Sequence, residues 1–322
     1  MWPFSCADRP GRGHVPPRTR ARAPAHLWDD RDVRHVYDCP VRWADLDLLG
    51  HVNNVTYVDY LQEARVDMLL TQSPDTRAVD LAEGVVVVRH DVRYVAPMGF
   101  RLEPVKIACW VTQVRAASFT MAYEVYDETP DGERTVYLHA KTLLTPYVFA
   151  EERPRRITAD EKAALGRFLG EEPIPTVRTR SEPKRLETGH YPLHVRFSDV
   201  DLYGHVNNVK YFEYFQEARI RYLMRIFDVG GPGERAVPLV IAQMDVDYRV
   251  PILFRPEPYD VHSWVSDVGR SSFVVESEIR DGETLLSRAR VVAVTFDATT
   301  QKAAPAPAAH RAALTAELTR TS

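Results

Sequence analysis

A duplicated segment constrains what this chain can fold into more than any other feature of its sequence. "DLDLLGHVNNVTYVDYLQEAR" at residues 45–65 returns as "DVDLYGHVNNVKYFEYFQEAR" at residues 199–219, an offset of 154 positions. The offset also relates "HDVRYVAP", which starts at His90, to "MDVDYRVP", which starts at Met244. Solenoid repeats have periods of roughly 20 to 50 residues, so this longer period indicates two copies of a whole domain.

Both copies show the same order of predicted elements. A short strand precedes the motif, in "HVYDCPVRW" and in "YPLHVRFS", and a helix of about 16 to 18 residues begins at Asn53 or Asn207. Four β-rich segments follow in each copy, at about 85–96, 102–115, 118–127 and 135–147, and at about 238–250, 256–268, 272–280 and 284–297. The helix is apolar on most sides, which is typical of a buried helix. A buried helix followed by antiparallel strands predicts an α+β fold, with a sheet wrapped around the helix.

Composition shifts along the chain predict the domain bounds. Residues 1–30 are rich in Arg and Pro and predict a disordered extension, although a transit peptide is conceivable. The two domains are expected at 31–150 and 188–300. A charged, Pro-rich linker with a short helix should join them at 151–187, and residues 301–322 form a C-terminal tail.

Bulk composition excludes several classes of protein. The formal net charge of −4, with 27% charged residues, gives no reason to expect a nucleic-acid partner. No apolar run approaches the roughly 18 residues that a membrane span needs. The three cysteines, Cys6, Cys39 and Cys109, lie far apart without metal-ligand spacing, so free thiols in a reducing cytoplasm are expected.

The repeated motif holds the parts of a site that could hydrolyse an activated acyl group. Its candidate residues are Asp47, Gly50, His51, Asn53 and Asn54 in the first copy, and Asp201, Gly204, His205, Asn207 and Asn208 in the second. The glycine permits a tight turn, and the asparagines favour the start of a helix. The unpaired N–H groups of that first helical turn could hold a developing oxyanion. The aspartate could attack the acyl carbon or activate a water, and the histidine could orient it.

A purely structural interpretation of the same residues stays open. An Asp, a Gly-His pair and an Asn cap could form a turn and a helix start with no catalytic role. Asp45 and Asp199 are expected to serve hydrogen bonds of that turn. The charges of the Glu-Ala-Arg triplets at 63–65 and 217–219 are expected to pair with one another or across the copies, because they lie on mostly buried helices.

The motif D-x-x-G-H-V-N-N-x-x-Y closely resembles the active-site segment of hotdog-fold acyl-CoA thioesterases, in the 4-hydroxybenzoyl-CoA thioesterase-like superfamily. The resemblance covers about residues 34–150 and 190–300. It implies two tandem hotdog domains that form an intramolecular pseudo-dimer, and it leaves further homo-oligomerisation open. It also implies an acyl-CoA substrate and a cytoplasmic enzyme that needs no metal or organic cofactor.

The resemblance also assigns roles to individual residues. Those with a catalytic role are Asp47, Asp201, His51, His205, Asn53 and Asn207, and the oxyanion would bind the backbone N–H groups of Asn54 and Asn208. Those with a substrate-binding role are Gly50, Gly204, Tyr57, Tyr211, Arg270, Ser271 and Ser272, although tyrosines at this position of a helix are more often core residues than catalytic ones. The segment "VGRSSF" resembles the family strand beside the CoA pantetheine, whereas the first copy has "VRAASF". The Asp201 site is therefore expected to matter at least as much as the Asp47 site.

Three other functions compete with an acyl-CoA thioesterase. Plant acyl-ACP thioesterases carry an Asn two residues after the motif Asp, where this chain has Leu49 and Tyr203, which favours CoA over ACP as the carrier. Hotdog hydratases also use Asp and His, but within a different local pattern. A non-catalytic acyl-CoA-binding protein would bind the thioester and release no thiol.

Overall fold

The computed structural model describes residues 34–71, 84–176, 180–201, 204–228, 238–297, 300 and 302–320. The extension expected at residues 1–30 lies outside the described residues. The other domain bounds stay predictions.

Four α-helices and twelve strands make up the described part of the chain. The helices are α1 (Thr56–Thr71), α2 (Ala159–Gly166), α3 (Lys210–Ile226) and α4 (Ala308–Thr319). The strands of the first copy are β1 (His35–Cys39), β2 (Val85–Tyr94), β3 (Val105–Val114), β4 (Phe119–Glu128), β5 (Arg134–Val148) and β6 (Arg153–Pro154). Those of the second copy are β7 (His190–Leu193), β8 (Leu239–Tyr248), β9 (Tyr259–Val268), β10 (Ser272–Asp281), β11 (Thr284–Asp297) and β12 (Lys302–Ala303). The four long strands expected in each copy are thus confirmed.

One antiparallel sheet runs through both copies. Its strand order is β1-β3-β4-β5-β2-β8-β11-β10-β9-β7, with β6 beside β5 and β12 beside β11. The two halves of this order mirror each other about the β2–β8 pair. The α+β class expected from the sequence is therefore confirmed, with the sheets of the two copies joined edge to edge.

The junction between the copies is a pairing of equivalent strands. Asp91 of β2 lies opposite Asp245 of β8, the residue 154 positions later, and Arg89 lies opposite Asp247. Each copy would otherwise expose an edge strand with unpaired backbone groups at this position. The Arg89 guanidinium lies 2.5 Å from carboxylate oxygens of both Asp91 and Asp247, so an ion pair also crosses the junction.

The long helices α1 and α3 contribute their broad apolar faces to the core. Their buried apolar residues are Tyr57, Val58, Tyr60, Leu61, Ala64, Met68 and Leu69 in α1, and Tyr211, Phe212, Tyr214, Phe215, Ala218, Tyr222 and Leu223 in α3. One cluster of buried residues contains side chains from both helices and from both halves of the sheet. The expectation of buried helices is confirmed, and two of the predicted free cysteines, Cys39 and Cys109, are buried in the same cluster.

The expected pairing of the Glu-Ala-Arg triplets is wrong. Arg65 and Arg219 are buried, whereas Glu63 and Glu217 face solvent. Residues two apart on an α-helix point to different sides, so these Glu and Arg side chains cannot meet. A buried Nη1 of each arginine has no hydrogen-bond partner. Burial lowers the pKa of Arg219 to about 10.

The junction predicts a pH-dependent stability. Burial, together with the Asp91 charge, raises the pKa of Asp245 to about 6, against the hydrogen bonds from Gln243. The folded state therefore binds a proton on Asp245 more tightly than the unfolded state does. The contribution of this protonation to stability is greatest at low pH and is lost as the pH rises towards 7. Asp245→Asn should therefore raise the free energy of unfolding near neutral pH by about 1–3 kcal/mol, with a smaller gain at about pH 4.

Urea unfolding across this pH range measures the effect. Asp131→Asn, at an exposed hairpin position, is the matched control and should leave the pH profile unchanged. A profile for Asp245→Asn that runs parallel to that of the parent protein would show that Asp245 does not cause the pH dependence.

Candidate active site

Each motif aspartate lies in a tight loop closed by its own backbone. The Asp201 N–H donates to the His205 carbonyl at 2.8 Å, and a single bridge pairs Val200 with Val206. The loop turns at Gly204, whose φ of +80° lies in the left-handed region that favours glycine. The Asp47 loop has the same backbone bond to His51, at 2.8 Å. The glycine turn expected from the sequence is confirmed at Gly204.

Both aspartates accept hydrogen bonds from their own loop. Asp47 Oδ1 accepts the N–H groups of Leu49, at 2.8 Å, and His51, at 3.3 Å. Asp201 Oδ1 accepts the His205 N–H at 3.3 Å. These bonds fix the direction of each carboxylate with respect to the helix that follows.

The other aspartates of the motif tie the loop to the helix. Asp45 accepts the Tyr60 hydroxyl at 2.5 Å, and Asp199 accepts the Tyr214 hydroxyl at 2.7 Å. The Arg196 N–H also donates to Asp199. The structural role expected for Asp45 and Asp199 is confirmed. It also extends beyond the turn, because Tyr60 and Tyr214 belong to the helices α1 and α3 that follow.

The asparagines cap a turn that precedes each helix. The side-chain oxygen of Asn53 accepts the Val55 N–H at 3.2 Å, and that of Asn207 accepts the Val209 N–H at 3.3 Å. The α-helices therefore begin three residues later than expected, at Thr56 and Lys210. The expected capping of the helix itself is wrong for α3, whose N-cap is Val209 without a side-chain cap hydrogen bond, and the asparagine side chains close the preceding turn instead.

The second asparagine of each motif, Asn54 or Asn208, places a backbone N–H at the start of the helix. The carbonyls of Asn54 and Asn208 accept the hydroxyls of Tyr94 and Tyr248, at 2.7 and 2.9 Å. Within the described part of the chain, neither asparagine N–H has an acceptor. Each of these N–H groups is therefore available to a ligand oxygen at the start of the helix.

A cavity of about 440 Å³ contains the second motif. The second copy contributes Asp201, His205, Asn208 and Tyr211, with the end of β8 and the residues after it, Tyr248, Arg249, Val250 and Pro251. The first copy contributes the start of β2, Val85, Val86, Val87 and Val88, and the segment Thr145, Tyr147, Phe149, Glu152 and Pro154. The cavity thus lies between the copies, with an apolar wall from one and the motif from the other.

The aromatic side chains of Phe149 and Tyr211 line the cavity near Asp201. The Phe149 ring of the first copy lies 6.0 Å from the His205 ring. The Tyr211 hydroxyl accepts the Ile252 N–H at 3.0 Å, and burial raises the pKa of Tyr211 above its usual range. Tyr211 therefore lines the cavity as a neutral side chain. Tyr57, its counterpart, is 3% exposed and packs against the rings of Tyr60 and Tyr94.

The segment that resembles a CoA-binding strand lies away from this cavity. Arg270 is exposed in the β9–β10 turn, and the Ser271 carbonyl accepts two hydrogen bonds from Thr295. Arg270, Ser271 and Ser272 are absent from the lining of the Asp201 cavity. The expectation that this segment stands beside Asp201 is wrong, because residues 85–88 of the first copy form the apolar wall of the cavity and the second copy contributes the end of β8 instead. Its role in substrate binding stays a prediction.

Two residues at this site were missed by the sequence reasoning. His90 of β2 lies 3.2 Å from the Asn208 side-chain oxygen, and Asn208 Nδ2 donates to Gln62 of α1 at 3.0 Å. Both partners belong to the other copy. The one signal for His90 was the mismatch of His90 with Met244 in otherwise similar segments.

A family model decides the class of this protein. The model of the thioesterase-like superfamily matches residues 41–165 and 195–314, one match for each copy. The chain belongs to the thioesterase-like superfamily. The two matches confirm the tandem form, and the expected enzyme class, a thioester hydrolase, is confirmed at this level.

Solved structures of similar fold span about four fifths of the chain. A putative oleoyl thioesterase from Lactobacillus plantarum matches with a TM-score of 0.66 and 16% identity, covering 83% of this chain and 98% of that one. The 12:0-ACP thioesterase from Umbellularia californica matches with a TM-score of 0.61 and 17% identity, covering 82% and 97%. At these identities the likeness concerns the fold, and it confirms two tandem hotdog domains.

A curated relative matches a shorter part of this superfamily member. The uncharacterized protein YsmA from Bacillus subtilis (strain 168) is 32% identical over 103 residues. The match covers 30% of this chain and 66%, just under two thirds, of that protein. Among the described residues, no helix is long and apolar enough to cross a membrane.

The bond between Tyr214 and Asp199 predicts a measurable contribution to stability. Tyr214→Phe removes the hydroxyl that donates a hydrogen bond to the buried Asp199 carboxylate. The hydrogen bond from the Arg196 N–H to this carboxylate remains. The free energy of unfolding should fall by about 1–2 kcal/mol. Chemical denaturation measures it, with Tyr191→Phe as control, because the Tyr191 hydroxyl has no partner in the described ranges. Equal stabilities of the two variants would contradict a structural role for this bond.

Proposed function

We propose that this protein hydrolyses an acyl-CoA thioester to the free acid and CoA. The observation that carries the proposal is the meeting of three groups in one cavity. These are the Asp201 carboxylate, the Asn208 residue with its available N–H, and the apolar wall formed by residues 85–88. A thioester needs a carboxylate near its carbonyl carbon, a donor for its carbonyl oxygen and an apolar surface for its acyl chain.

The chemistry needs only the groups of the chain and a water molecule. The Asn208 N–H would donate to the thioester oxygen, which becomes an oxyanion as the carbonyl is attacked. Asp201 would either take a proton from the attacking water or attack the carbonyl itself, and an acyl-Asp anhydride would then be hydrolysed. In both routes the C–S bond breaks, the sulfur leaves as the CoA thiolate and is protonated, and the acid takes its new oxygen from water. No metal or organic cofactor takes part in either route.

The motif supports CoA rather than ACP as the carrier. Leu49 and Tyr203 stand where the resembling plant acyl-ACP enzymes have Asn. The thioester in the cavity is the same chemistry for both carriers, so the panel used below includes both. Arg270 lies in the β9–β10 turn away from the Asp201 cavity, so it is the proposed contact for the phosphate of a CoA bound at the Asp47 site.

The tandem arrangement explains why the motif occurs twice. We take the two copies as the covalent counterpart of a dimer, because the cavity draws its motif from one copy and its apolar wall from the other. A single copy would lack half of this site. The cytoplasm, where acyl-CoA is available, is the proposed compartment.

Release of thiol across a panel of acyl thioesters tests the function. We expect turnover of acyl-CoA substrates, with slower turnover of acyl-ACP. Faster turnover of acyl-ACP would reverse the assignment of the carrier, and binding without thiol release would replace the enzyme with an acyl-CoA-binding protein. An enoyl-CoA in the panel, followed by its double-bond absorbance, tests the hydratase alternative.

Substitution of the motif aspartates tests the mechanism. Asp201→Asn combined with Asp47→Asn should lower kcat/KM by about 10²–10⁴-fold, because the amide can neither attack nor accept a proton from water. The circular-dichroism spectrum and unfolding midpoint of the double variant show whether the fold persists. A folded double variant that turns over at the parent rate would contradict the proposed role of these carboxylates.

A further inference from the structure

His90 is a fully buried histidine that points from the first copy into the motif of the second. Its exposed fraction is 0%, and its Nε2 lies 3.2 Å from the side-chain oxygen of Asn208. Its Nδ1 lies 2.9 Å from the Thr142 hydroxyl on β5. Its ring packs edge to face against Phe212 and Tyr248. The imidazole is therefore contacted by α3, by β8 and by the neighbouring strand β5.

These contacts fix the tautomer of His90. The side-chain oxygen of Asn208 only accepts hydrogen bonds, so Nε2 carries the proton and donates it. Nδ1 then accepts the Thr142 hydroxyl. Burial, with the nearby Arg65 charge, lowers the pKa of His90 to about 3, so the ring is neutral over the working range of the protein.

The Asn208 amide is consequently held by partners at both ends. Its oxygen accepts from His90, and its Nδ2 donates to Gln62 at 3.0 Å and to Asn207 at 3.1 Å. The backbone N–H proposed to bind the oxyanion belongs to this same residue. A side chain that cannot rotate also restricts the peptide group to which it is attached.

The first motif lacks this arrangement. Met244 stands at the position equivalent to His90, and Val291 lies opposite it, whereas Thr142 lies opposite His90. The Nδ2 of Asn54, the counterpart of Asn208, is buried without a partner in the described residues. A hydrogen-bonded polar pair in one copy is thus replaced by an apolar pair in the other, and an amide is left unsatisfied.

We propose that His90 is a positioning residue for the Asp201 site, which it completes across the junction by holding Asn208, and that the Asp201 site is therefore the faster of the two. This inference rests on the thioesterase function proposed above. It concerns the rate of the chemical step, because a donor that is already oriented stabilises the oxyanion more than it stabilises the bound thioester.

Enzymes with one intact aspartate separate the two sites. Asp47→Asn keeps the Asp201 site, and Asp201→Asn keeps the Asp47 site. We expect the Asp47→Asn enzyme to have a kcat about tenfold above that of the Asp201→Asn enzyme. Equal values of kcat, or a higher value for the Asp201→Asn enzyme, would overturn the proposed order of the sites.

His90→Met, which installs the residue of the other copy, tests the positioning role in the Asp47→Asn enzyme. It should lower kcat about tenfold while KM changes less than about twofold. His90→Gln should restore most of the loss, since its side-chain amide can still donate to Asn208. Met244→Leu, at the equivalent buried position, is the packing control and should keep the rate of its parent. If His90→Gln fails to restore kcat, or if Met244→Leu lowers it equally, His90 has only a packing role.

A binding measurement decides the inference without turnover. The probe is a difluoroketone analogue of acyl-CoA, in which a CF₂ group separates sulfur from a carbonyl that hydrates and so resembles the tetrahedral oxyanion rather than the bound thioester, titrated calorimetrically into the unsubstituted protein. We expect two classes of site, and His90→Met should weaken only the tighter class, about tenfold. If this holds and no thioester is hydrolysed, the thioesterase proposal fails alone. If thioesters are hydrolysed but His90→Met leaves both classes unchanged, the positioning inference fails alone, and absence of binding overturns it as well.

Discussion

The antiparallel pairing of β2 with β8 is the interaction on which the rest of the structure depends. It joins two sheets into one and places equivalent residues opposite each other, with Asp91 against Asp245. The same pairing brings the start of β2 over the second motif, where residues 85–88 form the apolar wall of the cavity. His90, further along β2, then reaches Asn208. Backbone pairing between the copies thus builds the site as well as the sheet.

Some residues of the motif stabilise the loop, and others line the cavity. Asp199 is tied to Tyr214 and so fixes the distance between loop and helix, while Asp201, two residues later, lines the cavity. Asn207 caps the turn with its side chain, which leaves the Asn208 N–H free of intramolecular acceptors among the described residues. Alternate residues therefore serve structure and chemistry, which is why capping and catalysis could not be separated on spacing alone.

The two copies agree in their motifs and differ in what surrounds them. The sequence comparison predicted that the Asp201 site matters at least as much as the Asp47 site, because "VRAASF" in the first copy stands where the second has "VGRSSF", and this took each motif to be served by strands of its own copy. The cavity shows the opposite connection, since residues 85–88 of the first copy form the apolar wall beside the second motif. The asymmetry at Asn208 comes from the buried pair His90 and Thr142, which Met244 and Val291 replace in the other copy.

The sequence by itself determined the duplication, the α+β class, the long strands, the buried helices and the motif residues. These follow from local periodicity, turn chemistry and a specific pattern, which act within a few residues. Only the tertiary structure decided which strands face which motif, where the helices begin, and that Arg65 and Arg219 are buried apart from their neighbouring glutamates. The placement of strands against the motifs depends on contacts between residues over 100 positions apart, such as His90 and Asn208, and no local pattern encodes such a contact.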